Sequence, residues 1–263
     1  MKDPDGAVYR QIALVASFVF GMLIVPARAR TVFLDTFDTH ENGASLAGAI
    51  PEVGDSWTVE EGAFERQLVQ PEVCKEGKAL RLTRIQGEKQ RLRGEADPVG
   101  ARLKPGCTIA LRADFLRADP AQAGRLVLTP MGMSGFKPCI WMKANGSFHV
   151  WSCTGSEWQG KWVDTGVAVG SGVWCTLEIE ARYGAKQPNG RIAGVYDAFA
   201  TRHTPGQNPV RTCIAKDIPA AGWASNAWVH FIIENYDYQQ EETGSETFWD
   251  NVELRVEWAD KAE

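Results

Sequence analysis

The sequence predicts an all-β protein built as a two-sheet antiparallel β-sandwich. Three observations carry this expectation. About a dozen short segments alternate apolar and polar side chains with period two, clusters of Gly, Pro, Asn and Asp separate them, and residues 30–263 contain no convincing amphipathic helix.

Residues 1–29 are set aside first. The 14-residue apolar run 12–25 leads through Pro26 to Ala27-Arg28-Ala29, a small-x-small cleavage pattern, so the segment is expected to be a signal peptide, with an uncleaved anchor as the alternative. The run is shorter than the ~20 residues that span a bilayer. Residues 30–263 are expected to form one domain, because no repeat or interdomain linker interrupts them.

Residues 31–38 form the first strand and place Phe33, Asp35 and Phe37 on one face. Residues 56–64 carry Trp57 and Val59 on one face before turning at Gly62, and 68–73 and 78–85 are two more short strands. The polar stretch 86–106 is expected to be a surface excursion or a weak edge strand. Residues 107–117 alternate cleanly, with Ile109, Leu111, Ala113 and Phe115 inward and Arg112 and Asp114 outward. A strand at 125–129 precedes the hairpin, and 162–169, 173–183, 191–200, 211–215, 227–235 and 247–258 complete the series.

The hairpin, within 136–166, has two aromatic-rich runs around Asn145-Gly146. A two-residue turn pairs Ala144 with Ser147 and sets Cys139 opposite Ser152. A three-residue loop sets Cys139 opposite Cys153 and Trp141 opposite Trp151, which would permit a disulfide between Cys139 and Cys153. The second register is preferred here, with a bulge reconciling it with Asn-Gly.

Residues 1–29 hold three of the 28 basic and two of the 33 acidic side chains, which leaves the mature chain at a net charge of −6. That balance argues against nucleic acid as a partner, and no membrane association is expected after cleavage of the signal. All six cysteines follow residue 29 and, behind a signal peptide, are expected to form disulfides. The absence of CxxC pairs argues against zinc.

FLDTFD at the start, W-x-V-x-x-G at 57–62, KALRL, the aromatic hairpin, VWCTLEIEARY and the closing FWDNVELRV together resemble the concanavalin A-like lectin/glucanase jelly roll in its laminin-G-like form, as found in secreted bacterial proteins. The resemblance implies a secreted, periplasmic or cell-surface protein. Its relatives include sugar-binding modules, glycoside hydrolases and polysaccharide lyases, and many carry a structural calcium.

Asp35 lies between two phenylalanines, and Asp250 shares parity with Phe248, Val252, Leu254 and Val256, so both carboxylates are expected on apolar faces. A buried carboxylate needs compensation. The first and last strands lie near each other in the resembling family, so one expectation is a Ca²⁺ held by Asp35 or Asp38 with Asp250. The other is that backbone N–H groups or an arginine satisfy each carboxylate.

Ten tryptophans offer faces for sugar stacking. Trp151, Trp158 and Trp162, with Tyr236 and Tyr238, are the expected ligand-binding residues, whereas Trp57, Trp174 and Trp228 are expected to pack. No catalytic residues are assigned. Glu178-Ile-Glu180 and Glu234-Asn-Tyr-Asp237 do not match the E-x-D-x-(x)-E strand of the glucanases, and His149, beside Trp151, is a candidate proton acceptor for a lyase. The expected function is noncovalent carbohydrate binding. A polysaccharide-active hydrolase or lyase and an adhesive surface domain are the alternatives, and a convergent acid pair or His/Tyr/Arg group on the concave face would mark the enzyme.

Overall fold

Fifteen strands form among the residues that the computed structural model describes, namely 29–71, 77–84, 88–96, 102–118, 123–130, 138–153, 160–186, 188, 190–224, 228–235 and 245–258. The eight-stranded sheet runs β13 (Val210–Ala224), β12 (Arg191–His203), β11 (Trp174–Lys186), β6 (Thr108–Arg117), β15 (Ser245–Glu257), β4 (Lys78–Arg84) and β3 (Gln67–Pro71), with β1 (Arg30–Asp35) also pairing β15. The seven-stranded sheet runs β10 (Gly160–Ala168), β9 (Ser147–Cys153), β8 (Cys139–Met142), β7 (Gly124–Pro130), β14 (Val229–Asn235), β5 (Gln90–Glu95) and β2 (Trp57–Glu61). Every neighbouring pair is antiparallel, so the protein is an all-β sandwich as the alternation predicts.

The core lies between the inner faces. Phe33, Trp57 and Phe231 meet edge to face with centroids 4.7–5.5 Å apart, and Phe115 packs on Trp249 at 4.5 Å. Strand β5 arises within the stretch expected to be an excursion or an edge, and it is an interior strand paired with both β14 and β2. Its apolar alternation is hidden because Gly94 takes an inward position. A Cβ there would lie 2.1 Å from the Phe231 ring, so the ring occupies the space a side chain would use.

Residue parity in β15 breaks at Asn251. Asp250 pairs with Asp114 but Glu253 pairs with Arg112, and Asn251 sits in the left-handed region at φ 48°. This bulge turns Val252, Leu254 and Val256 into the core while Phe248 joins a separate outer cluster with Leu116 and Trp174. The expectation that Asp250 faces the same side as Val252 is thereby corrected.

The hairpin takes neither expected register. Trp141 pairs with His149 and Met142 with Phe148, around a loop closed by Lys143 N–H donating to Ser147 O at 3.0 Å. Tertiary contacts select this register. Gly146 O accepts from Val169 N at 3.0 Å, and buried Arg117 donates to both Ala144 O and Val169 O. Gly146, at φ 86°, packs so closely that a Cβ would lie 2.1 Å from Val169 O. Cys153 consequently pairs with Gly160 of β10 and Cys139 packs in a cluster with Trp151, so the register proposed to join the two thiols is corrected. Among the described residues no disulfide is formed.

Asp35 is fully buried, and three donors hold it: Trp57 Nε1 at 2.6 Å, Phe37 N at 2.8 Å and His40 Nε2 at 2.9 Å. Burial pushes its pKa up, and the hydrogen bonds from Trp57, His40 and Phe37 pull against that rise. Asp35→Ala would strand these donors in the core. It is expected to reduce the unfolding free energy by about 1–3 kcal/mol, read as a lower midpoint in chemical denaturation.

Candidate functional site

The pairing of β2, β5, β14, β7, β8, β9 and β10 lines up one row across the outer face of the seven-stranded sheet. In register order it reads Glu61, Arg91, Glu234, Arg125, Trp141, His149 and Asp164. Period-two alternation produces it. Leu92, Ile233, Leu126, Ile140, Met142, Phe148 and Val150 of the same strands point into the core, so their neighbours point out.

Glu234 is the hub of the row. Its side chain is 2 % exposed, and it accepts from Arg91 Nε at 2.8 Å while Arg125 Nε closes on its other oxygen. Burial works against the charge on Arg91, but Glu234 and then Glu61 outweigh it, so this guanidinium stays above the ordinary arginine value. Arg93, in the neighbouring row, is held by Glu60 at 2.9 Å and Glu95 at 2.6 Å.

The aromatic part adjoins these charges. Trp141 and Trp162 have ring centroids 4.9 Å apart and Trp151 and Trp162 5.1 Å, while Lys143 Nζ stands 5.0 Å above the Trp141 ring. His149 lies 5.8 Å from Trp141, and its Nε2 is 3.2 Å from Ser147 Oγ and 3.9 Å from Asp164 Oδ2. Burial, then Lys143, lowers the His149 pKa below 6.5 against the opposing pull of Asp164, which keeps the ring neutral at pH 7.

Of the expected ligand-binding residues, Trp151 and Trp162 come together here, whereas Trp158, Tyr236 and Tyr238 lie outside the described residues. Trp57 packs in the core and Trp174 on the outer face of the eight-stranded sheet, but Trp228 is exposed, with Arg102 over its ring. Arg91 and Arg125 were not singled out in the sequence, and Glu234 appeared only as a mismatched catalytic string. A charged residue inside the apolar run VHFIIEN is the signal that could have found it.

The three aspartates expected at a Ca²⁺ do not converge. Asp35 points into the core with Val252, Asp250 lies on the opposite face of the sheet beside Asp114 and Asn251, and Asp38 Oδ1 accepts from Lys78 N at 2.9 Å. Among the described residues no three His, Cys, Asp or Glu side chains are grouped to hold a metal ion. Glu178 and Glu180 lie on the outer face of the eight-stranded sheet, bridged by Arg211, away from the row.

No protein-family model and no curated protein sequence matches the chain. Among solved structures, the marine PL-14 alginate lyase from Aplysia kurodai matches with a TM-score of 0.54 and 10% identity, over 86% of this chain and 98% of that one. The non-specific endo-β-1,3(4)-glucanase SCLam of family GH16 matches at 0.46 and 14%, over 88% and 92%, and the Crh5 transglycosylase in complex with NAG at 0.45 and 11%, over 90% and 86%. The fold is the concanavalin A-like jelly roll. The alginate lyase is a polysaccharide-active enzyme rather than a lectin. That likeness corrects the expectation of a purely sugar-binding module and favours its polysaccharide-active alternative.

Glu234→Gln leaves two guanidinium groups without their shared counter-charge, one of them on a side chain only 8 % exposed. Its expected cost is about 3–5 kcal/mol of stability, with part recovered in the apolar double variant Arg125→Met/Glu234→Leu; thermal melts of the three proteins check this. A separate outcome follows from His149, whose proton affinity is lower folded than unfolded. The unfolded chain binds the extra proton below about pH 6.5, so stability falls as pH drops from there through the lowered value. His149→Gln should flatten that part of the curve of melting temperature against pH.

Proposed function

We propose that the protein is a polysaccharide lyase that cleaves a uronate-containing chain by β-elimination on the outer face of the seven-stranded sheet. The observation that carries this reading is the neutral His149 with the Lys143 ammonium near it, beside the half-buried Trp151 and Trp162. The likeness to an alginate lyase supports it at the level of fold.

Elimination moves the proton beside the sugar carboxylate to His149; its electron pair forms the C4=C5 double bond as the C4–O bond breaks, and the departing oxygen takes a proton from the imidazolium so formed or from water. The base must be unprotonated, and His149 meets that condition because burial disfavours its charged form. Charge that builds on the uronate carboxylate needs a fixed cation. Lys143 can take this role, because its Nζ stands 5.0 Å above the Trp141 ring and its charge acts on the His149 imidazole. The half-buried Trp151 and Trp162 offer faces for the C–H surfaces of neighbouring sugars.

Hydrolysis is the weaker reading on this face. A glycosidase needs a carboxyl group that reaches the glycosidic oxygen, and Glu234, 2 % exposed with its oxygens turned to Arg91 and Arg125, does not present one. Such a lyase suits a secreted or periplasmic enzyme, in line with the signal-like N-terminus.

Purified protein is expected to generate ultraviolet-absorbing unsaturated ends from uronate polymers and none from neutral glucans. His149→Gln should lower kcat by about 100-fold or more, and the wild-type rate should fall only at pH values beneath the ordinary histidine range. New reducing ends without unsaturation would replace the elimination reading with hydrolysis, and no products from any acidic polymer would overturn both.

A further inference from the structure

We infer that a second ligand site, for a small amphiphile with an anionic head such as a medium-chain carboxylate, lies in the seam between the two sheets. The site is a cavity of about 250 Å³ lined by residues of β9 to β13 and the turn after β12. It is distinct from the row above. Phe148, which lines it, and His149 are successive residues of β9 and so point to opposite faces of that strand.

Burial sorts the lining into two ends. Phe148, Val169, Cys175 and Ala200 are 1%, 5%, 1% and 6% exposed and form the deep end. Burial pushes the Cys175 thiol up to about 12, so that end presents an uncharged, unreactive sulfur. Arg202, Gln207, Asn208 and Thr212 are exposed and form the mouth.

The mouth has a charge preference. Among the described residues Arg202 is the one charged side chain of the lining, and no carboxylate lines the cavity. Its Nη2 donates to Ala168 O at 2.9 Å, which ties the guanidinium at the rim and leaves further N–H donors in the fork. Gln207 and Asn208 stand beside it on a turn closed by Gln207 N–H to Thr204 O at 3.0 Å. An apolar floor rejects a pyranose ring whose hydroxyls would go unpaired there. It accepts a short alkyl chain, and the rim accepts the carboxylate. The volume equals about eight waters at ~30 Å³ each, which suits a chain of roughly eight carbons.

The test is calorimetric titration of the full protein with octanoate, 1-octanol and a neutral methyl pyranoside. Octanoate is expected to bind saturably at one site with a Kd of about 1 mM or tighter, and the pyranoside not at all. Arg202→Gln, at an exposed position, should weaken octanoate at least about 10-fold while leaving octanol unchanged, and Ala200→Phe should abolish both by filling the floor. Non-saturable octanoate binding, or equal binding to Arg202→Gln, would overturn the site. Elimination activity of Arg202→Gln should equal wild type, so loss of this site and loss of the lyase reading are separately visible.

Discussion

Glu234 between Arg91 and Arg125 is the interaction on which the candidate site depends. A carboxylate at 2 % exposure is tolerable only when its charge is matched and its lone pairs are filled. The matching groups come from β5 and β7, the two neighbours of β14, so the ion triad forms only when all three strands are in register. A slip of one residue would turn Glu234 into the core and separate the charges. Fold and chemistry are thereby coupled at the centre of the seven-stranded sheet.

From that centre the row extends in both directions by strand pairing alone. Toward β10 it becomes aromatic, and the rings of Trp141, Trp151 and Trp162 pack against one another and beside His149. The same packing desolvates the imidazole and holds it neutral. The eight-stranded sheet has a different outer face. There Arg211 bridges Glu178 and Glu180, and Arg182 pairs with the buried Asp197 and the exposed Asp217.

Two glycines and one asparagine account for most of what the alternation pattern hid. Gly94 contributes no side chain to the core because the Phe231 ring fills its place, so β5 lacks the apolar rhythm of a buried strand. Gly146 docks against Val169, which overrides the register that turn chemistry or a disulfide would favour. Asn251, in a left-handed conformation, inserts one residue into β15 and reverses the parity of everything after it. That reversal places Asp35 and Asp250 on opposite faces of the sheet.

The sequence by itself determined the all-β class, the position of nearly every strand and the inward residues of strands such as β6, because alternation is a local property written in consecutive side chains. It also marked His149, Trp151 and Trp162, which lie close together in the chain. Tertiary structure alone decided the order of strands, the hairpin register, the bulge and the meeting of Arg91, Arg125 and Glu234. Those residues are separated by up to 143 positions, and no local pattern encodes which strands pair. The pairing follows from burying two sheets against each other while giving enclosed charges such as Glu234 their partners, a condition set by residues far apart in the chain.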